Sequence, residues 1–368
     1  MNYTLRQKHL AAELRRGRDE ALLVTHLPNI YYLCGFSGSA GILLFQAGAR
    51  GPKLTFFTDG RYTQQAREEV EGARVVIAKK AALEEACDAV VRNKITKLSF
   101  ESDHLPYISY QQIRSMLRSH GRAGAGIKLK PVAGMVEQLR AVKDSNEIAM
   151  IRAAVTLAGD LFPAVLAAIR PGVSEVAVAG ELELQARKSG AEGMSFDTIV
   201  AAGPRSALPH GRASAQPIPG NGFIILDYGV ILAGYCSDMT RTVHVGSVSE
   251  KHRRMYEAVK AAQVASIEAV RPGAETGEVD RVGREILRKA GYDSYFTHST
   301  GHGVGIEVHE IPRLAKGQTQ QLAPGMVITI EPGIYIPDEG GVRIEDMVLV
   351  TESGHEVLTH TTKDLITL

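Results

Sequence analysis

Ile169-Arg-Pro-Gly-Val-Ser-Glu175 and Val270-Arg-Pro-Gly-Ala-Glu-Thr276 lie about a hundred residues apart and follow one pattern. In each, a long helical pattern is stopped by Arg-Pro-Gly, because proline cannot continue a helix and glycine accepts the turn that leaves it. A second helical pattern starts directly after. A single Arg-Pro-Gly would mean little, since Pro-Gly is a common stop, but here the correspondence runs on. Helices over about 145–169 and 174–189 precede a strand near 196–201 and a ribbon over about 223–245. Helices over about 250–270 and 276–290 precede a strand-like stretch at 295–300 and a ribbon over about 326–350. Lys188-Ser-Gly190 falls opposite Lys289-Ala-Gly291, and Asp197 opposite His298. This order predicts an internal duplication: two α+β halves related by pseudo-twofold symmetry, with their ribbons facing each other at the centre.

The first third reads differently. Apolar runs at 41–45, 54–58, 74–78 and 97–101 alternate with helical patterns over about 61–70, 83–92 and 110–119, which predicts an α/β domain. The glycine-rich 121–126 reads as a loop, with a linker between it and Asp144. At 368 residues the chain is long for one core, which also predicts two domains. A formal net charge of +1 argues against nucleic acid as a partner. Three scattered cysteines, Cys34, Cys87 and Cys236, form no CxxC pair and fit a reducing compartment. The first residues lack the apolar stretch of a signal peptide. No uninterrupted apolar run reaches the ~20 residues of a membrane helix, so a cytoplasmic location without membrane attachment is expected.

Each predicted ribbon carries two acids where core residues belong. The first has Ile224-Ile-Leu-Asp227-Tyr-Gly and Gly234-Tyr-Cys-Ser-Asp238-Met-Thr-Arg; the second has Val327-Ile-Thr-Ile-Glu331-Pro-Gly and Gly341-Val-Arg-Ile-Glu345-Asp-Met-Val. An unpaired carboxylate in an apolar run is costly, and four on facing ribbons repel one another. A turn facing water would account for any one of them, but poorly for four in repeat-related places. Two divalent cations would balance four carboxylates. A fifth ligand is offered by Thr297-His298-Ser-Thr-Gly-His302-Gly-Val-Gly-Ile-Glu-Val-His309-Glu, where glycines allow close backbone approach. An oxygen-rich set with one imidazole suits Mn²⁺, Co²⁺, Fe²⁺ or Zn²⁺ better than a thiolate-preferring metal.

These motifs resemble those of the pita-bread metallopeptidases: methionine aminopeptidase, aminopeptidase P and prolidase. The resemblance covers nearly the whole chain and implies the fold, a creatinase-type α/β N-terminal domain (1–132) and a duplicated α+β pita-bread catalytic domain (133–368). It implies Asp227, Asp238, His302, Glu331 and Glu345 as ligands of two divalent metal ions, Mn before Co, Zn or Fe. Asp238 and Glu345 would bridge the ions, and Glu331 would also shuttle protons. His210, in Ala207-Leu-Pro-His210-Gly, matches the family's substrate-side histidine, and His309 the one that steadies the tetrahedral intermediate. His298, Tyr335 and Arg343 match the proline-directed members.

Within the family, Thr58-Asp-Gly-Arg-Tyr62 and the α/β domain around it separate the chain from typical methionine aminopeptidases. The intact ligand set separates it from creatinase, and equally from non-catalytic pita-bread binding modules, which typically lose those ligands. Ser206-Ala-Leu-Pro-His-Gly211, His298-Ser-Thr-Gly-His302 and Phe36-Ser-Gly-Ser-Ala-Gly41 look like short bacterial aminopeptidase P. The resemblance therefore implies an Xaa-Pro aminopeptidase acting on peptides with proline second; the alternative is an Xaa-Pro dipeptidase, or prolidase. It further implies a homodimer, in which the loop around Asn29 to Gly41 is the candidate for contacts to a partner subunit's substrate.

Overall fold

In the computed structural model, which describes residues 1–49 and 51–368, the chain divides into two units, Met1–Arg140 and Ala141–Leu368. The first is built on strands β1 (Ala21–Val24), β2 (Ile42–Gln46), β3 (Lys53–Thr58), β4 (Arg74–Ile77), β5 (Lys97–Glu101) and β6 (Lys128–Val132), in the spatial order β4-β3-β2-β1-β5-β6. Its helices are α1 (Tyr3–Arg16), α2 (Leu27–Cys34), α3 (Thr63–Glu69), α4 (Ala82–Arg92), α5 (Tyr107–Ser119), α6 (Arg122–Ala125) and α7 (Met135–Ala141). β2 is antiparallel to both neighbours, while β3–β4, β1–β5 and β5–β6 are parallel. Parallel neighbours need crossovers, and α4 packs Ala86, Cys87, Ala89 and Val90 against Leu23, Leu44, Phe57 and Leu98 of the sheet.

The α/β class follows the sequence pattern, but several details differ from it. Residues 29–34 are not loop; they belong to α2. Asn29 is fully buried, donates to Glu101 at 2.7 Å and Glu137 at 2.5 Å, and accepts from Arg140 at 2.8 Å. A buried amide satisfied on both sides is a structural joint, so only residues 35–41 remain as loop. The same joint carries α7 into the first unit, so the division falls after Arg140 and not after Val132. The stretch 121–126 contains the single turn α6. Helix α1 gave no apolar signal because its buried face includes Arg6 and Gln7, which donate to the carbonyls of Tyr32 and Leu33 at 3.1 and 2.9 Å.

The second unit repeats one plan twice. Its first half holds α8 (Ser145–Ala168), α9 (Glu175–Lys188), β7 (Gly193–Met194), β8 (Ile199–Ala202), β9 (Gly222–Tyr228), β10 (Val230–Leu232), β11 (Tyr235–Cys236) and β12 (Met239–Val245). The second half holds α10 (Glu250–Glu268), α11 (Thr276–Lys289), β13 (Gly301–Gly303), β14 (Glu310–Leu314), β15 (Val327–Ile330), β16 (Gly333–Ile336), β17 (Gly340–Arg343), β18 (Asp346–Val350) and β19 (His355–Val357). Asp144 caps α8 in a reciprocal box with Glu147, and Ser174 and Ser249 cap α9 and α10. By length and composition α8 could cross a membrane; here Ala154, Ala158, Leu161, Phe162 and Val165 are part of the first half's core.

The sheets correspond as well: β12-β9-β8 matches β18-β15-β13. Each expected ribbon is interrupted by a short hairpin, β10–β11 in one half and β16–β17 in the other. The stretch 295–300 is not a strand, since a 3-10 turn ends at Tyr295 and β13 begins only at Gly301. The correspondence of Asp197 and His298 holds in sequence but not in environment. Asp197 is exposed and pairs with Arg212 at 3.0 Å, while His298 is part-buried.

The halves are stitched along β12. Glu345 N–H donates to Thr240 O at 3.1 Å, Arg343 N–H to Thr242 Oγ1 at 3.0 Å, and Thr242 Oγ1 to Arg343 O at 2.8 Å. The buried Arg241 guanidinium donates to Glu345 O at 2.6 Å and to Asp346 Oδ1 at 2.7 Å. Strand β13 is wedged so tightly between its neighbours that a Cβ on Gly301 would lie 1.9 Å from Thr329 O, and one on Gly303 2.2 Å from Ile311 O. Gly301→Ala must push β13 and β15 apart, at a cost of about 1–3 kcal/mol. The denaturant midpoint of the metal-free protein should fall accordingly; a midpoint equal to the parent's would contradict this packing.

Candidate metal centre

The duplication places its four acids symmetrically. Asp227 lies near the end of β9 and Glu331 just beyond β15; Asp238 immediately precedes β12 and Glu345 immediately precedes β18. Because the stitched strands bring these ends together, all four converge with His302, the middle residue of β13. One ligand atom each from Asp238, His302 and Glu345 lie within 4.8 Å of one another. His302 Nε2 is 3.6 Å from Asp238 Oδ2 and 3.6 Å from Glu331 Oε1. Asp227 is held by Arg343, Nη2 to Oδ2 at 2.5 Å, and Glu345 by Thr240, Oγ1 to Oε2 at 2.7 Å.

The hydrogen bonds leave a gap of a particular character. His302 Nδ1 faces Gly303 O at 3.0 Å, so Nδ1 carries the proton and Nε2 a lone pair. That lone pair lies 3.6 Å from oxygens of Asp238 and Glu331. Asp227 Oδ1, Asp238 Oδ1 and Glu345 Oε1 are buried and have no hydrogen-bond partner. Orphaned acceptors and an imidazole lone pair turned toward one space are what a cation requires. Four carboxylates share one guanidinium, Arg343, so the cluster carries an excess of negative charge that suits divalent cations.

The electrostatics agree. Burial, and then the neighbouring acids, push Asp238 and Glu345 well above the usual carboxylate range. Glu331 is pushed up to about 8, chiefly by burial and partly offset by Arg343. His302 falls to about 4 and His298 to about 3, burial being the largest cause for both.

The remaining sequence candidates surround this cluster. His298 Nδ1 donates to Ser299 O at 2.8 Å, so Nε2 accepts from Tyr335 Oη at 2.8 Å. Tyr335 Oη in turn accepts from Arg343 Nη1 at 2.6 Å. His309 is exposed, with its ring edge-on to His302 at 4.4 Å between centroids. His210 is exposed on the loop after β8, close enough that its charge lowers both His298 and His309. Sequence reasoning missed Thr240, Arg241 and Asp346. Arg241, Gln263 and Lys363 all bond Asp346, in a charged layer behind Glu345. The signal was present in Asp238-Met-Thr-Arg241 and Glu345-Asp346, where further charges interrupt the apolar runs.

Residues 149–352 match Metallopeptidase family M24, and residues 6–142 match the Creatinase/Prolidase N-terminal domain. The chain belongs to metallopeptidase family M24, with a creatinase-type N-terminal domain and a pita-bread catalytic domain. It is similar to the Xaa-Pro dipeptidase of Pyrococcus horikoshii, 38% identical over 360 residues that cover 98% of each chain. The structure of the Xaa-Pro dipeptidase from Bacillus anthracis matches with a TM-score of 0.94 and 40% identity over 100% of both chains. That of the X-Pro aminopeptidase from Thermotoga maritima matches with a TM-score of 0.85 and 34% identity, over 95% of this chain and 97% of that one.

Between pH 7.5 and 8 an unfolded histidine, with its ordinary value of 6.5, is almost wholly neutral, as are the lowered His298 and His302 in the fold. Over the same interval a free glutamate, with its ordinary value of 4.5, is ionised on unfolding while Glu331 in the fold still holds a proton. The unfolded state then binds fewer protons, so the metal-free protein loses stability as pH rises through this window. Melting curves in chelator should show a falling midpoint from pH 7.5 to 8, and added Mn²⁺ should raise the midpoint and flatten the trend. A metal-free midpoint that rises across the window would refute the raised carboxyls.

Proposed function

We propose that the chain is an Xaa-Pro dipeptidase, cutting the bond before proline in two-residue peptides. The observation that carries this reading is the extent of similarity to Xaa-Pro dipeptidases, at 38–40% identity along almost the entire chain. The X-Pro aminopeptidase match, at 34%, favours the longer-peptide reading as the alternative. The three cysteines are free and buried, which supports a reducing, cytoplasmic setting.

Asp227, Asp238, His302, Glu331 and Glu345 would hold two divalent ions, Mn²⁺ before Co²⁺, Zn²⁺ or Fe²⁺. When bound, such ions supply Lewis-acid activation of water and of the scissile carbonyl. The chain's own groups do the rest. Asp238 and Glu345, one from each half, would act as ligands, and Arg343 holds Asp227 through Nη2. Glu331 would be the proton carrier, since a carboxylate beside the attacking water can accept a proton and return it. It would take the proton of the attacking water and deliver it to the proline nitrogen, which must be protonated to leave. The exposed His210 and His309 are placed to donate to the carbonyl oxygen as its charge develops.

The pocket chemistry suits proline. Both ring nitrogens of His298 are already bonded, to Ser299 O and Tyr335 Oη, so His298 offers substrate a ring face and no unmet acceptor. An Xaa-Pro bond has no N–H to satisfy, so it asks for no acceptor from His298.

With Mn²⁺ supplied, an Ala-Pro dipeptide should be cut at least tenfold faster in kcat/KM than an Ala-Pro-Yaa-Zaa tetrapeptide, a discrimination of about 1.4 kcal/mol. The reverse order would make the chain an aminopeptidase. Glu331→Gln keeps the shape of the side chain without its proton chemistry, so kcat should fall about 10²–10⁴-fold; near-parental turnover would remove Glu331 from its role.

A further inference from the structure

Helix α11 carries a side-chain pair that serves neither the helix nor the surface. Asp280, with its side chain 1% exposed, and Arg284, one turn later, are joined Oδ2 to Nε at 2.7 Å. The other Asp280 oxygen accepts from Thr300 Oγ1 at 2.8 Å. The free fork of Arg284 goes to backbone: Nη1 donates to Phe296 O at 3.0 Å and Nη2 to His298 O at 2.5 Å. The guanidinium also sits over the Phe296 ring, 4.1 Å from its centroid. The pair thus grips Phe296, His298 and Thr300, alternate residues of a segment that belongs to no helix or strand. No ladder fixes the course of that segment, and the clamp supplies what a ladder would.

Beyond the clamp the same segment touches the chemistry from two sides. Phe296 stands edge-on to the His298 ring, with centroids 5.1 Å apart, and the far side of His298 bonds Tyr335. Thr300 O accepts from Glu331 N–H at 2.7 Å. The first half of the duplication uses its second helix in the same way with the charge reversed. Glu175, at the start of α9, accepts from Ala202 N–H at 2.8 Å, Arg205 Nε at 3.0 Å and Ser214 Oγ at 2.6 Å, spanning the loop that carries His210.

We propose that Arg284, backed by Asp280, is a positioning residue for proline recognition: it fixes the backbone of residues 296–300 so that the His298 ring stands as a wall of the pocket. This rests on the Xaa-Pro reading. Arg284 touches no substrate; it acts through His298. A planar fork reaching two carbonyls and an acid cannot be reproduced by an ammonium group, which provides a mild test. A lysine at 284 keeps the charge beside Asp280 but loses the grip on Phe296 and His298.

The test compares the Mn²⁺-loaded parent with Arg284→Lys and Arg284→Gln, reading metal content, melting midpoint, and kcat and KM on Ala-Pro and Ala-Ala. In Arg284→Lys we expect full metal content and a midpoint within a few degrees of the parent. KM for Ala-Pro should rise about tenfold with kcat changed less than about threefold, and the preference for Ala-Pro over Ala-Ala should fall by a similar factor. Arg284→Gln should show the same split, and more strongly. A lysine variant with parental KM and preference overturns the inference. So does loss of metal or of folding in the lysine variant, which would make the pair a scaffold element only. If the parent itself shows no preference for Ala-Pro, the proposed function fails instead, whatever the variants do.

Discussion

Asp227, Asp238, Glu331 and Glu345 repel one another inside a space from which water is largely excluded, and the rest of the catalytic unit is arranged around that repulsion. Burial and the neighbouring acids raise Asp238 and Glu345 well above the carboxylate range. Together, with the lone pair of His302 turned into the same space, the four acids form a site whose electrostatics are settled only when positive charge occupies it. The energy for holding them so close comes from the strands. Thr240, Arg241 and Thr242 tie β12 to the β17–β18 junction through backbone groups and hydroxyls, and the one bond to an acid's carboxylate, Thr240 Oγ1 to Glu345 Oε2, leaves Glu345 Oε1 without a partner. Stability is thus spent on a seam so that the centre can remain unsatisfied.

The duplication explains how such a centre is assembled from one short motif. In each half an acid closes one long strand and another acid opens its partner, with a hairpin between them. Bringing two copies face to face doubles the ligand count without any new local structure. The halves have diverged where chemistry is asymmetric. Position 298 is a part-buried histidine bonded to Tyr335, while its counterpart Asp197 is a surface acid paired with Arg212. The second half sets the imidazole of His302 among the acids, on a strand whose flanking glycines leave no room for a Cβ.

The substrate side follows a different rule from the metal side. Among the acids Asp227 Oδ1, Asp238 Oδ1 and Glu345 Oε1 lack partners, whereas both ring nitrogens of His298 have one. Arg343 links the two regimes, since it donates to Asp227 on one side and to Tyr335 on the other. A pocket that asks nothing of a substrate nitrogen, set beside a centre that demands charge, fits the hydrolysis of a bond whose nitrogen carries no hydrogen.

Sequence alone determined the duplication, the long helices of the second unit and the four acids as candidates, because each rests on local chemistry: Arg-Pro-Gly stops, serine and aspartate caps, and acids that interrupt apolar runs. It also determined the α/β character of the first unit, though not α1, whose buried face carries Arg6 and Gln7, nor the helical state of Asn29, whose partners lie far along the chain. Only the tertiary structure decided which environment each histidine occupies. His298, His302 and His309 share one glycine-rich stretch, yet one is a saturated wall, one a lone pair among carboxylates and one exposed. Burial and hydrogen-bond partners at long sequence separation set those roles, and composition and spacing carry no record of them.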